Sequence, residues 1–395
     1  ESHPPEIFPP EDLMSISANW NYPTAIKFSA GRIKELPDHV KALGMKRPLL
    51  VTDKALGELP ITTNALQLMR GAGLDAALFS DVKSNPTEEN LAAGLEVYRA
   101  GKHDGVVAFG GGSGLDLAKV IAFMSGQNRP VWDFEDIGDW WTRADPAGIA
   151  PILAVPTTAG TGSEVGRAGV LTDSKAHVKK IIFHPKMLPA IVICDPELTV
   201  GMPPFITAGT GLDALSHCLE AYCSPFYHPM AEGIAVEGIR LVKENLPKVF
   251  ADPNDIEARG HMMSAAAMGA TAFQKGLGGM HALAHPIGAL YDTHHGMTNA
   301  VVMPYVLEVN RAAIETKIDR LAAYLGIAGG FDGFLGFVRN IRAELKVPET
   351  LTAFNVPRSG YAQILEGALT DPSAGGNPLE MTRELTSEML DRAFG

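Results

Sequence analysis

Four of the twelve histidines in this chain lie within sixteen residues, in the stretch HALAHPIGALYDTHHG from His281 to Gly296. Because residues four apart share one face of a helix, a helix here would present His281 and His285 together. The same spacing joins Asp213 to His217 in GLDALSHCLEAY. A carboxylate and several neutral imidazoles could bind a divalent first-row metal ion and leave one position open for water or substrate.

Each of these residues also has an ordinary structural interpretation. An Asp and a His four apart on a helix commonly form a solvated pair or a cap, and Asp213 could be the acidic member of a capping box begun by Thr210. Either His281 or His285 could be a core histidine whose hydrogen bonds are satisfied. His294 is expected in a loop or beside the ligands. The density of histidines between Gly-rich turns favours the metal interpretation.

Two Gly-rich loops in the first half of the chain indicate a phosphate-bearing ligand. FGGGSGLDLAK follows a predicted strand and opens a helix, so the backbone at Gly111 and Gly112 and the hydroxyl of Ser113 could contact a phosphate. Leu115 stands where the third Gly of G-x-G-x-x-G belongs, and a tight turn without a ligand is the alternative. A second loop, PTTAGTGSEV, offers three hydroxyls, from Thr157, Thr158 and Thr161. Two such loops at strand ends favour a dinucleotide.

Asp53 ends the first apolar strand pattern, RPLLVTD. A carboxylate at this position can accept hydrogen bonds from ribose hydroxyls and would repel a 2′-phosphate, which favours NAD over NADP. The alternative is an ordinary helix N-cap.

The elements that must position these residues follow from the apolar periodicity. Strand patterns at 47–53, 75–82, 104–109, 151–156 and 190–198 alternate with helical patterns at 61–72, 85–100 and 112–124. This alternation predicts a Rossmann-like α/β domain with a mostly parallel sheet. From about Gly211 onwards the periodicity is helical, except for a predicted loop at 371–382 before a last helix. We therefore expect an NAD-binding α/β domain over residues 1–200 and an all-α metal-binding, catalytic domain over 201–395.

Composition narrows the function class. The chain of 395 residues is 46% hydrophobic and 20% charged, with a net charge of −12, which predicts a globular protein with no nucleic-acid partner. No apolar run reaches the length of a membrane span, and the Pro-rich, acidic N-terminus shows no signal core. Only three cysteines occur, so no disulfide framework is expected and the cytoplasm is favoured.

The four motifs GGGSGLDLAK, PTTAGTGSEV, GLDALSHCLEAY and HALAHPIGALYDTHHG, in this order, resemble those of the iron-dependent (group III) alcohol dehydrogenases. The resemblance extends from about Lys27 to the C-terminal tail. It implies a dinucleotide-binding α/β domain and a helical domain, related to dehydroquinate synthase and glycerol dehydrogenase. The metal ion and the nicotinamide are then expected to meet in the cleft between the two domains.

Transferred position by position, the resemblance implies four metal ligands: Asp213, His217, His281 and His295. His285 is implied as a non-ligand near the nicotinamide and is our candidate for the proton relay. Many members carry Thr-Pro-His-Gly where this chain has Thr-His-His-Gly, and we keep His295 because its spacing of fourteen from His281 matches the family. The implied cofactor-binding residues, with Lys179 preferred to Lys180, are Asp53, Asn85, Gly111, Gly112, Ser113, Asp116, Thr157, Thr158, Thr161, Lys179 and His285.

The activity implied is hydride transfer between NAD(H) and a small primary alcohol or its aldehyde, with Fe(II), or alternatively Zn(II), as a Lewis acid. The family also implies a homo-oligomer, a dimer or larger. A non-redox lyase of the dehydroquinate synthase type is the first alternative, but its polyanionic substrates would need clustered cations. The helical half offers only scattered ones, such as Arg240, Lys243 and Lys248. The second alternative is a metal-binding scaffold with a vestigial cofactor loop.

Overall fold

The computed structural model describes residues 24–176 and 178–395, so the predicted Pro-rich N-terminal segment lies outside the described residues. Strands and helices alternate up to residue 156, and three further strands follow without an intervening α-helix. The elements of the first half of the chain are β1 (Ala25–Phe28), α1 (Leu36–Ala42), β2 (Pro48–Val51), α2 (Lys54–Gly57), α3 (Pro60–Gly71), β3 (Ala77–Phe79), α4 (Glu88–Ala100), β4 (Gly105–Gly110), α5 (Gly112–Met124), β5 (Ile152–Pro156), β6 (Ala168–Asp173), β7 (Val178–Phe183) and β8 (Ile191–Cys194).

Six of these strands form one parallel sheet, in the order β1-β8-β5-β4-β2-β3. Its central strands are apolar runs because helices cover both faces. Leu50 and Val107 face a core cluster shared with α1 and α3, whereas Leu49 and Val106 face the opposite cluster, which includes α4 and α5. The carboxyl ends of β2, β4 and β5 lie side by side. The predicted α/β class with a Rossmann-like sheet is confirmed.

Three strands were not predicted from the sequence. β1 is a four-residue edge strand whose two end residues are exposed, so it has no continuous apolar run. β6 and β7 form a separate antiparallel hairpin in which Thr172 pairs with Lys179. The hairpin is mostly half-buried and mixes charged with apolar residues, which weakens its strand pattern.

Helices alone follow β8 in the described part of the chain, as the periodicity predicted. They are α6 (Pro204–Cys223), α7 (Pro229–Ala251), α8 (Ile256–Ala272), α9 (Gly279–Tyr291), α10 (His295–Val309), α11 (Arg311–Tyr324), α12 (Gly330–Glu344), α13 (Tyr361–Thr370) and α14 (Arg383–Phe394). The expected loop before the last helix contains one 3-10 turn, Pro372–Gly376. The division into domains at residue 200 stays a prediction.

α6 is the central helix of this half, and every residue from Thr207 to Cys223 is buried. A helix buried on all sides lacks the polar face of a surface helix. Asp213 lies in its interior, since the helix begins at Pro204, so the capping-box interpretation of Asp213 is wrong. The carboxylate is therefore held inside the protein by the helix around it.

Two further expectations from composition concern the whole fold. No helix among the described residues combines the length and apolar character needed to cross a membrane. The three cysteines, Cys194, Cys218 and Cys223, are buried and free, and burial raises the pKa of each thiol. They are therefore poor nucleophiles, and they form no disulfide.

Two glycines allow α6 and α10 to cross at backbone contact. A Cβ atom on Gly296 would lie 2.2 Å from the carbonyl oxygen of Gly209 and 2.8 Å from the Cβ of Asp213. A Cβ atom on Gly209 would lie 2.7 Å from the ring of His294. Contacts this short leave no room for a side chain at either position. The crossing places the middle of α6 directly against the first turn of α10.

We expect Gly296→Ala to lower the free energy of unfolding by about 1–3 kcal/mol, because the new methyl group forces the two helices apart. Gly336→Ala in α12 is the matched control, since its Cβ would meet nothing within 4 Å. Alanine in a helix interior is favoured over glycine by roughly 0.5–1 kcal/mol, so this control should be neutral or stabilising. Chemical denaturation of both variants measures the difference, and equal effects would contradict the close crossing.

Candidate active site

Three helices bring the predicted metal ligands to one point. Asp213 and His217 lie one turn apart in α6. His281 is in the first turn of α9, and His295 is the first residue of α10. One potential ligand atom from each of the four residues lies within 4.8 Å of the others. Asp213, His217 and His281 are buried, whereas the His295 side chain is 26% exposed, so the cluster opens to solvent on the His295 side.

The imidazole nitrogens converge on the carboxylate. Nε2 of His295 lies 3.7 Å from Oδ1 of Asp213, and Nε2 of His281 lies 4.0 Å from the same oxygen. The ring of His217 stacks on that of His281, with 4.7 Å between centroids and 20° between planes. The His217 ring also lies against Phe273, at 5.1 Å between centroids and 55° between planes. The four donors thus surround one small volume beside an aromatic side chain.

The electrostatic environment keeps two of the imidazoles neutral. Burial lowers the pKa of His217 to about 4, although Asp213 opposes the shift. Burial, followed by the neighbouring His281 and Lys179, also lowers the pKa of His295. Burial disfavours the charged form of His281 as well, but the carboxylates around it, Glu220 first, raise its pKa. Neutral imidazoles are the form that binds metal ions.

This donor set fits a divalent first-row ion. Asp213 is only 1% exposed, and among the described residues the ion-pair partners within 4.0 Å are the rings of His281 and His295. A buried carboxylate without a matching positive charge is costly. Nδ1 of His217 and Nδ1 of His295 are also buried without a hydrogen-bond partner. A cation bound by one carboxylate and three imidazoles would supply the missing charge.

Two residues around this cluster were missed by the sequence analysis. The Glu220 carboxylate accepts hydrogen bonds from Nδ1 of His281 and from the backbone N–H of Met280, both at 2.6 Å. A carboxylate only accepts here, so Nδ1 of His281 carries a proton, and in the neutral form that binds a metal ion the Nε2 lone pair is directed towards Asp213. Glu220 follows Asp213 by seven residues, which is the same helix face, and this spacing could have revealed it.

Asn299 is the second missed residue. Its Nδ2 lies 2.9 Å from Oδ1 of Asp213 and 3.2 Å from Nε2 of both His281 and His295. Asn299 follows His295 by four residues on α10, so it shares the face of that ligand candidate. The amide thus links three of the four converging side chains.

His285 and His294 lie outside the converging set. Nδ1 of His285 donates to Oδ2 of Asp371 at 2.9 Å, and the ring stacks on His295 at 5.4 Å between centroids. Burial opposes charge on Asp371, but His285 and Ser373 hold its pKa below the usual value. His294 caps α10 by accepting the backbone N–H of Met297 at its Nδ1. No local pattern links His285 to Asp371, because they are far apart in the chain.

The two Gly-rich loops meet at the carboxyl ends of β4 and β5. A Cβ atom on Gly112 would lie 2.6 Å from Cγ2 of Thr161, and one on Gly111 would lie 3.2 Å from Cγ2 of Thr158. α5 begins at Gly112, so the N–H groups of its first turn have no partner within the helix and face the cradle. Thr157 Oγ1 is buried without a hydrogen-bond partner. The cradle fits a phosphate group at a helix N-terminus.

The remaining predicted cofactor residues also have partners within the protein. Asp53 caps α2 by accepting the N–H of Leu56, and its Oδ2 lies near Gly110. The Ser113 hydroxyl donates to the carbonyl of Ser84. Asp116 forms an ion pair with Lys119. Its carboxylate also accepts hydrogen bonds from the Ser163 hydroxyl and from the backbone N–H of Val170.

Two cofactor candidates lie between the halves of the chain. Asn85 donates its side-chain amide to Asp292, which follows α9 in a left-handed conformation at φ 51°. Lys179, on the hairpin, reaches towards α9, where its Nζ would be 3.3 Å from a Cβ on Gly288. Burial lowers the pKa of Lys179, and the carboxylate of Asp292 is the largest influence in the opposite direction. Both side chains therefore connect the α/β half with the helix that carries His281 and His285.

The chain is similar to known proteins along most of its length. Residues 23–196 match the family profile described as iron-containing alcohol dehydrogenase, and residues 207–394 match the C-terminal profile of the Fe-containing alcohol dehydrogenase family. The chain is 37% identical over 384 residues to 4-hydroxybutyrate dehydrogenase of Cupriavidus necator, which covers 94% of this chain and 99% of the relative. It is 34% identical over 387 residues to the NAD-dependent methanol dehydrogenase of Bacillus methanolicus, and this alignment covers 95% of this chain and 100% of the relative.

A solved structure of 1,3-propanediol oxidoreductase superposes with a TM-score of 0.90 at 33% identity, covering 95% of this chain and 100% of that one. These three relatives give the lyase alternative no support. Because the two profiles match most of the chain, and the relatives align along nearly their full lengths at above 30% identity, the chain belongs to the iron-containing alcohol dehydrogenase family.

Proposed function

We propose that this member of the family uses NAD(H) and a divalent metal ion to interconvert a small primary alcohol and its aldehyde. The observation that carries the proposal is the convergence of one carboxylate and three imidazoles, with all four ligand atoms within 4.8 Å of one another. The relatives named for 4-hydroxybutyrate, methanol and 1,3-propanediol support a small primary alcohol as the substrate class.

The ion would be held by Asp213, His217, His281 and His295. Fe(II) is the expected metal, and the same donors also suit Zn(II). When bound, the ion supplies Lewis acidity to the alcohol oxygen, and NAD supplies the hydride acceptor. The protein fixes the four donors in place through the helix crossing and through the hydrogen bond from His281 to Glu220.

The cofactor would lie along the carboxyl ends of β4 and β5. Gly111, Gly112 and Ser113 would receive the pyrophosphate, with Thr157, Thr158 and Thr161 on the nicotinamide side. Asp53, beside Gly110, favours a free 2′-hydroxyl on the adenosine ribose and hence NAD. Asn85, Asp116 and Lys179 complete the proposed cofactor-binding set. The NAD-dependent relative supports this choice.

His285 is the proposed proton relay. Its Nδ1–H is engaged by Asp371, so Nε2 is the atom that accepts the proton from the alcohol side. The side chain is 19% exposed, which gives the imidazole a route to solvent. The ring also stacks on His295, so the relay atom stays close to the metal ligands.

We further propose a cytoplasmic homo-oligomer, a dimer or larger. Three buried, free thiols fit a reducing compartment. Phe226 and Tyr227 are 55% and 48% exposed, and adjacent exposed aromatic residues are typical of contact surfaces. Sedimentation of the purified protein would give the subunit number.

A survey of primary alcohols with NAD, with Fe(II) or Zn(II) added to the metal-free protein, tests the proposed activity. We expect steady formation of NADH with small primary alcohols, and loss of this activity on chelation, because substrate polarisation depends on the ion. Tight NAD binding without net NADH formation from any alcohol would instead favour the lyase mechanism.

Substitution of the two adjacent histidines tests the ligand assignment. His295→Ala should lose most of the bound metal, because it removes one of the four converging donors. His294→Ala is the matched control and should retain the metal, because His294 caps α10 and packs against Phe205. Elemental analysis after dialysis measures both. Metal loss from the His294 variant alone would reverse the assignment.

Glu220→Gln tests the support of His281. A Gln oxygen can accept only one of the two hydrogen bonds made by the Glu220 carboxylate, and the amide nitrogen then faces a donor. We expect metal affinity to fall about 10–100-fold with the fold intact. Glu88→Gln, which alters a carboxylate that accepts from Ser174 in the α/β half, should leave affinity unchanged. Competition with a chelator measures affinity, and equal affinities in the two variants would contradict the role.

A further inference from the structure

The segment between α13 and α14 crosses α9 and contacts its histidine face. Asp371 opens this segment and uses both carboxylate oxygens. Oδ1 accepts the backbone N–H of Ser373 at 2.8 Å, which caps the 3-10 turn Pro372–Gly376. Oδ2 accepts Nδ1–H of His285 at 2.9 Å. The Asp371 side chain is only 10% exposed, so water competes weakly for either oxygen.

The same segment is fixed at its other end. Oδ1 of Asn377 accepts the backbone N–H of Gly279 at 3.1 Å and the side-chain amide of Asn310 at 2.8 Å. A Cβ atom on Gly376 would lie 2.1 Å from the carbonyl oxygen of Leu277, so the chain passes at backbone contact there. A segment held at both ends cannot slide along α9, and the position of Asp371 relative to His285 is therefore defined.

This contact determines which nitrogen of His285 carries the proton. An ionised carboxylate has no hydrogen to donate, so Nδ1 must carry a proton, and in the neutral imidazole Nε2 then carries the lone pair. The hydrogen bond also opposes rotation of the ring away from its stack on His295, where the planes are 10° apart. Without the carboxylate, the other tautomer and other ring orientations become available.

We propose that Asp371 is a positioning residue that fixes the tautomer and orientation of His285, so that Nε2 is free to accept a proton. The catalytic consequence rests on the proposed function, in which His285 relays the alcohol proton. The tautomer itself does not depend on that function. Asp371 touches neither substrate nor cofactor in this role and acts through the imidazole alone.

Asp371→Asn is the first test. The Asn oxygen can still cap the turn at Ser373, but its amide nitrogen then faces Nδ1 of His285 as a donor. His285 must accept there, which moves its proton to Nε2 and blocks the relay atom. We expect kcat to fall about 10²-fold, with KM, NAD affinity and metal content unchanged. Asp255→Asn, the same change at the cap of α8, is the matched control and should leave kcat unchanged.

Asp371→Ser provides a second variant should the amide disturb the turn. Its hydroxyl can cap the turn at Ser373 but is too short to reach His285. We expect a loss of kcat similar to that of Asp371→Asn. A native kcat in this variant would overturn the proposal.

A double-mutant cycle separates positioning from general structural support. If Asp371 acts through the imidazole, Asp371→Asn should have no further effect on kcat in a His285→Ala background. A further loss in the double variant, or loss of metal from Asp371→Asn, would overturn the proposal in favour of structural support.

Nitrogen NMR of the ¹⁵N-histidine-labelled, Zn(II)-loaded protein gives a readout independent of activity. The His285 resonance, assigned by its absence in His285→Ala, should report a proton on Nδ1 in the native protein and on Nε2 in Asp371→Asn. An unchanged tautomer would overturn the proposal. Full turnover by His285→Ala would instead refute the relay in the proposed function, while the change of tautomer would still support the positioning role.

Discussion

The burial of a carboxylate among imidazoles is the constraint on which the rest of this structure depends. Asp213 is 1% exposed in the middle of a helix that is itself buried, and no Lys or Arg lies within ion-pair distance of it among the described residues. Burying such a charge is unfavourable unless a cation or several hydrogen bonds compensate. Asn299 provides one hydrogen bond, and a bound ion would provide the larger share. Metal binding and the stability of the helical half are therefore thermodynamically linked.

Backbone contacts made by glycines connect this centre to the cofactor loops. Gly296 lets α10 cross α6 beside Asp213, and Gly160 of the second loop approaches α6 so closely that a Cβ would lie 2.7 Å from the carbonyl oxygen of Thr210. Gly162, at φ +62°, meets α8 in the same way. Hydride transfer requires two carbon atoms to be held near contact distance, and a small misplacement is costly. Contacts with no intervening side chain restrict the relative movement of loop and helix more than flexible side chains would.

The parts of the fold that were predictable are those with strong local patterns. Buried parallel strands such as β4 stand out as apolar runs, and long helices such as α7 carry apolar residues at helical spacing. The spacing of Asp213 and His281 from their partner histidines could be read directly. β1 and the β6–β7 hairpin were missed because partial burial leaves no apolar run. The helical spacing that relates Asp213 to His217 could also have predicted Glu220, but no such spacing could have predicted Asp371. Its contact with His285 spans 86 residues and depends on how a loop crosses a helix.

The motifs themselves do not separate residues that contact a ligand from residues that support those contacts. Asp116 follows the glycines of the first loop, yet its carboxylate accepts from Ser163 in the second loop and from Val170 in the hairpin that carries Lys179. It thus joins three segments that face the proposed cofactor site. Preorganised polar groups of this kind maintain the geometry of a site before its ligand arrives. Residues that contact a ligand and residues that support those contacts therefore look alike in a sequence motif. Loss of either kind would change the position of the same atoms.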